Sequence, residues 1–143
     1  MCSVAGDAAR LLYLDASAIV KLVVRERETD ELMRYISRAD LVSSEITEIE
    51  VPRAAYLRTG DMDSVTRAET TLRRFSLVAL DDELRREAAR ARPADLRSLD
   101  AVHLVSCLRL AEQLEAIVVY DRRLAGAARA HGLRVEAPSA SGS

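Results

Sequence analysis

The sequence predicts a three-layer α/β/α domain built on a central parallel sheet. Three observations carry that expectation. Short apolar runs alternate with longer segments of helical periodicity, the pattern of βαβ units. The first run, Leu11-Leu12-Tyr13-Leu14, is apolar throughout, as a strand buried on both faces reads. The 143 residues show neither an internal repeat nor an interior linker, and that length suits one domain.

Taken in order, a strand over Leu11–Leu14 is followed by helices over Ala16–Val24 and Glu28–Arg38. A short strand, Leu41–Ser43, precedes a helix from about Ser44 to Arg58 that contains Pro52. Loss of the Pro52 backbone donor is expected to kink it. Gly60-Asp61 reads as a turn before an amphipathic helix near Met62–Arg74, then a strand over Ser76–Leu80. A helix over Asp81–Arg92 is closed by Pro93, and a long one over Ser98–Leu114 has Ser98 as its expected cap. Ala116–Tyr120 reads as the fourth strand, Arg122–His131 as a helix ended by Gly132, and Leu133–Val135 as an edge strand. The domain is expected over 11–136, with 1–10 and 137–143 as tails.

Composition narrows the function. Only five aromatic residues occur, so the core must be aliphatic and a stacking platform for bases is not expected. Lys plus Arg is 21 against 23 Asp plus Glu, which leaves no polybasic arm. Cys2 and Cys107 form no C-x-x-C or Cys/His cluster, so neither a disulfide framework nor a zinc site is expected. No leader or membrane-spanning run is expected, and the chain reads as soluble and cytoplasmic.

In a parallel sheet the ligand crevice lies beyond the carboxyl ends of the strands. Asp15 ends the first expected strand and Asp121 follows the fourth. Ile46, Glu50, Ala54 and Leu57 form one helical stripe, expected to be buried, and Asp100 begins a second with His103, Cys107, Ala111 and Leu114. Each acid also has a plain structural reading. Asp121 can cap a helix, Asp100 can complement a helix dipole, and Glu50 can pair with Arg53 or snorkel to solvent. Together the four suggest an acidic pocket. Without them the chain carries 19 acids against 21 bases, a charge of +2 suited to a polyanion around a hard divalent cation. Metal-assisted phosphodiester hydrolysis is the reaction class that follows. Carboxylates sharing one crevice repel, so at least one is expected to have a raised pKa.

The segments Leu12–Leu22, Ser44–Ala54, Leu96–Leu104 and Val119–Leu124, each carrying one acid, resemble the ordered motifs of PIN-domain ribonucleases. They are most similar to the short toxins of VapBC-type toxin–antitoxin pairs. The resemblance implies an endoribonuclease dependent on Mg²⁺ or Mn²⁺. It further implies a homodimer, an RNA substrate and a small cognate antitoxin. It assigns the catalytic acids to Asp15, Glu50, Asp100 and Asp121, with Asp15 and Asp100 as the principal metal ligands. Ser17 matches a small hydroxyl residue of the first motif, which can equally cap the following helix. Val119 departs from the Thr or Ser common two residues before the last Asp, so the role of Asp121 stays open. Arg53, Arg97, Arg122 and Arg123 flank the acids and read either as phosphate contacts or as solvated surface residues. His103 reads as a packed histidine rather than a general base, and His131 as a helix-end residue.

Phospho-aspartate folds of the haloacid-dehalogenase and receiver types also begin with a strand-end Asp. Both need a late lysine, and the single lysine here is Lys21. A phosphate-binding glycine loop is absent as well. The alternative from another class is a catalytically idle PIN-like domain that binds RNA or protein.

Overall fold

The computed structural model describes residues 10–140. Its elements are β1 (Arg10–Leu14), α1 (Ala16–Val23), α2 (Thr29–Ile36), β2 (Ala39–Ser44), α3 (Thr47–Thr59) and α4 (Met62–Leu72). They continue with β3 (Phe75–Val78), α5 (Asp82–Ala89), α6 (Ser98–Arg109), β4 (Ala116–Val118), α7 (Arg122–Ala130) and β5 (Val135–Glu136). The five strands form one sheet in the order β3-β2-β1-β4-β5, and every pairing is parallel. The expected α/β/α architecture and element order are both present.

Strand periodicity of two separates the layers. Leu12 and Leu14 face a core shared with Ala18, Ile19, Leu32, Val51, Ala55 and Leu72, from α1 to α4. Tyr13, Val42, Ile117 and Val119 face the opposite core, filled by Leu104, Cys107, Leu124 and Ala128 of α6 and α7. Both cores are dominated by aliphatic side chains, as the composition requires.

Several boundaries differ from expectation. Arg10, assigned above to a tail, opens β1 and pairs with Glu115 at 3.1 Å, while residues 1–9 and 141–143, and with them Cys2, lie outside the described residues. Helix α6 stops at Arg109 rather than Leu114, because the chain must turn for the Glu115 amide to donate to the Leu11 carbonyl and enter β4 beside β1. Strand β4 ends at Val118, where the Asp15 amide takes its carbonyl at 3.3 Å. The cap of α6 is Arg97, without a side-chain hydrogen bond, so Ser98 is its first helical residue. Helix α3 continues through Pro52 to Thr59 and is closed by Gly60 at φ +66°, a left-handed position. Its buried face is Thr47, Val51 and Ala55, not the expected stripe, and Leu57 is 87% exposed. Gly132 ends α7 as expected, with the Leu133 amide reaching back to the Ala128 carbonyl. Among the described residues no helix is long and apolar enough to cross a membrane.

Candidate active site

Strands β1 and β4 are neighbours whose following strands run to opposite sides, so their carboxyl ends flank the topological switch point. Asp15 stands there as the N-cap of α1. Its Oδ1 accepts from the Ser17 hydroxyl at 2.7 Å and from the Ala18 amide at 3.2 Å. The residue is 4% exposed. Burial pushes its pKa up from 3.8 to about 6, against the opposing pull of His103 and these hydrogen bonds, with a smaller push from Glu50.

Ser17 lies inside α1 and does not cap it, since Asp15 is the N-cap. Its Oγ donates to Asp15 and accepts from the Tyr120 amide at 3.0 Å. One hydroxyl thus ties the exit of β1 to the segment after β4, immediately before Asp121. Val119, where the resemblance would place a hydroxyl, is 1% exposed and packs in the core facing α6 and α7.

Glu50 lies at the border of the buried face of α3, with its side chain 16% exposed. Its Oε1 meets His103 Nε2 at 2.8 Å, and His103 Nδ1 meets the Tyr13 hydroxyl at 2.7 Å. His103 is therefore packed, as its place on α6 predicts, yet it is also bonded to a site carboxylate. The expected partner of Glu50, Arg53, is exposed instead.

Asp100 sits in the first turn of α6, half-buried. Its Oδ2 is buried and has no hydrogen-bond partner among the described residues. Burial raises its pKa, and repulsion from Asp121 and, more weakly, Glu50 adds to the rise. Burial, rather than the mutual repulsion expected from sequence, is thus the leading cause at both Asp15 and Asp100. Asp121 caps α7, its Oδ1 accepting from the Arg123 amide at 2.8 Å and the Leu124 amide at 3.2 Å. Its plain structural reading is realised, and it still repels Asp100.

Among the described residues, hydrogen bonds engage one oxygen each of Asp15, Glu50 and Asp121, while the buried Oδ2 of Asp100 is unpaired. Leaving a buried carboxylate oxygen unpaired is unfavourable. A hard cation is the partner that an all-oxygen, anionic donor set suits. Among the described residues no three His, Cys, Asp or Glu side chains stand close enough to hold an ion by themselves.

A cavity of about 420 Å³ is lined by Ser17, Glu50, Arg53, Arg58 and Leu99 among others, so it takes in one of the four acids. A second, about 740 Å³, is lined by Arg92, Arg122, Arg123 and His131 with Asp95, and by none of the four acids. The flanking arginines are exposed. His131 ends α7 and its Nε2 bonds the Arg92 carbonyl at 2.9 Å. Sequence reasoning passed over Tyr13. The available signal was its position as the lone hydroxyl in an apolar strand, on the face opposite Leu12 and Leu14.

The chain matches the PIN domain over residues 12–130. It is 42% identical to ribonuclease VapC46 of Mycobacterium tuberculosis over 130 residues, covering 90% of this chain and 98% of the relative. VapC35 of the same organism is 36% identical over 133 residues, covering 90% and 97%. Among solved structures, the fold resembles M. tuberculosis VapC20, a Sarcin-Ricin loop cleaving toxin, with TM-score 0.69 at 16% identity over 89% of this chain and 99% of that one. It also resembles VapBC2 of Rickettsia felis bound to promoter DNA, with TM-score 0.65 at 11% identity over 90% and 99%. With nearly its whole length matched, the chain belongs to the PIN-domain family, among the VapC-type ribonucleases.

Proposed function

We propose that this protein is a metal-dependent endoribonuclease and the toxin of a VapBC-type pair. Asp15 and Asp100 are the principal ligands for Mg²⁺ or Mn²⁺, and Glu50 and Asp121 complete the acidic rim. The observation that supports this most directly is the buried Oδ2 of Asp100, without a hydrogen-bond partner among the described residues and repelled by Asp121 and Glu50.

A divalent ion held by Asp15 and Asp100 would supply Lewis acidity toward a phosphodiester oxygen and lower the pKa of a bound water. Ser17 and the Ala18 amide hold Asp15 through Oδ1, which limits the rotamers open to its carboxylate. The α7 cap likewise fixes Asp121. Arg53 and Arg122, each lining one of the two cavities, are the residues assigned to RNA phosphate contact. A small antitoxin, a second copy of this chain in a homodimer and a cytoplasmic setting complete the reading, which follows the VapC relatives.

The test is cleavage of single-stranded cellular RNA by the purified protein, with new ends mapped in Mg²⁺, Mn²⁺ or EDTA. Cleavage dependent on the ion and lost in folded Asp100→Asn is expected. RNA left intact in both metals, or cut equally in EDTA, would overturn the reading. In cells, expression should arrest growth, and the product of the adjacent small reading frame should relieve it.

A further inference from the structure

We propose that Tyr13 and His103 are positioning residues that hold Glu50 toward the acidic crevice, so that a hydroxyl inside the core sets the metal affinity of the site. This rests on the metal-dependent reading above.

The geometry allows one assignment of protons for the neutral ring. The Glu50 carboxylate only accepts, so His103 Nε2, 2.8 Å away, carries the hydrogen. Nδ1 is then an acceptor, and the Tyr13 hydroxyl at 2.7 Å donates to it. Tyr13 is fully buried and His103 is 1% exposed, with their rings edge to face at 82° and 5.8 Å between centroids. With both nitrogens engaged, the ring cannot turn over without setting C–H groups against both partners. Three elements meet in this chain of bonds: β1 through Tyr13, α6 through His103 and α3 through Glu50.

A tether is needed because Glu50 has a competitor. It lines the cavity of about 420 Å³ together with Arg53 and Arg58. Arg58 is already paired with Glu26, whereas Arg53 is exposed, and a glutamate free to rotate would turn to its guanidinium group. The His103 bond decides between the crevice and Arg53. Residues that orient metal-binding groups from behind commonly change affinity by roughly 10–100-fold when altered.

The experiment measures Mn²⁺ affinity by calorimetry for wild type, Tyr13→Phe, Glu50→Ala and the double variant, with thermal melts to verify folding. Nitrogen-15 spectra report the tautomer of His103. Tyr13→Phe is expected to weaken Mn²⁺ binding by about 10-fold or more and to have no further effect in Glu50→Ala, which has no oxygen for His103 to hold. Wild-type His103 is expected to carry its hydrogen on Nε2. Equal Mn²⁺ affinity in wild type and Tyr13→Phe overturns the proposal while leaving the nuclease reading intact. So does an equal loss in the Glu50→Ala background, or a wild-type ring whose hydrogen is on Nδ1. A wild type that binds no Mn²⁺ and cuts no RNA overturns both readings. Should Tyr13→Phe fail to fold, the wild-type tautomer still decides.

Discussion

Replacing Asp15 by Asn should stabilise the metal-free protein while removing its activity. Asp15 is 4% exposed, and its pKa is raised from 3.8 to about 6. At 1.36 kcal/mol per unit, ionising it inside the fold costs about 3 kcal/mol. Because the folded pKa lies above the unfolded one, the relative stabilisation is complete below the unfolded value and is lost as pH rises through about 6. Asn is neutral at every pH and keeps an oxygen for the Ser17 hydroxyl and the Ala18 amide. In EDTA at pH 7.5 the variant is therefore expected to exceed wild type by up to about 3 kcal/mol, roughly 10 °C in Tm. The advantage should shrink toward zero near pH 4. Paired urea and thermal melts at the two pH values measure it, and RNA cleavage is expected to vanish in the same variant. A stability difference that does not change with pH, or an Asn variant weaker than wild type at pH 7.5, would refute the argument from burial.

Asp100→Asn relieves a half-buried acid raised first by burial and then by Asp121. It should raise metal-free stability at neutral pH and reduce the stabilisation that Mg²⁺ gives wild type, about 2.7 kcal/mol at a hundredfold excess over Kd; melts with and without Mg²⁺ decide. Ser17→Ala removes the bond to Asp15 and strands the Tyr120 amide. It is expected to lose about 1–3 kcal/mol in urea unfolding and to slow cleavage, and an unchanged midpoint would show that the bridge is dispensable. Cys107 is fully buried with its thiol pushed up by burial. In a Cys2→Ser background a thiol reagent should label it only as fast as the protein opens, and rapid labelling of the native protein would contradict this.

The order of elements and the strand ends were written locally in the sequence. Leu11–Leu14 announces a buried strand, and an Asp at the end of such a strand, ahead of a helix-periodic run, marks both a cap and a crevice position. Asp15, Asp100 and Asp121 were legible for that reason, because strand ends and helix starts are set by neighbours in sequence. The stripe containing Glu50 was misjudged, since α3 settles with Thr47, Val51 and Ala55 inward. Helical periodicity leaves a rotation of one residue undetermined until a partner surface selects it. Where α6 stops was equally hidden, because the Leu110–Leu114 turn exists to deliver Glu115 to the edge of β1, a contact more than 100 residues distant in sequence. The links Ser17–Tyr120 and Tyr13–His103–Glu50 span separations of 103, 90 and 53 residues. The residue types were visible in the chain. Which of them share a proton was decided only when the sheet brought β1 between β2 and β4 and packed α3 and α6 around it, because a hydrogen bond depends on distance in space and not on spacing in sequence.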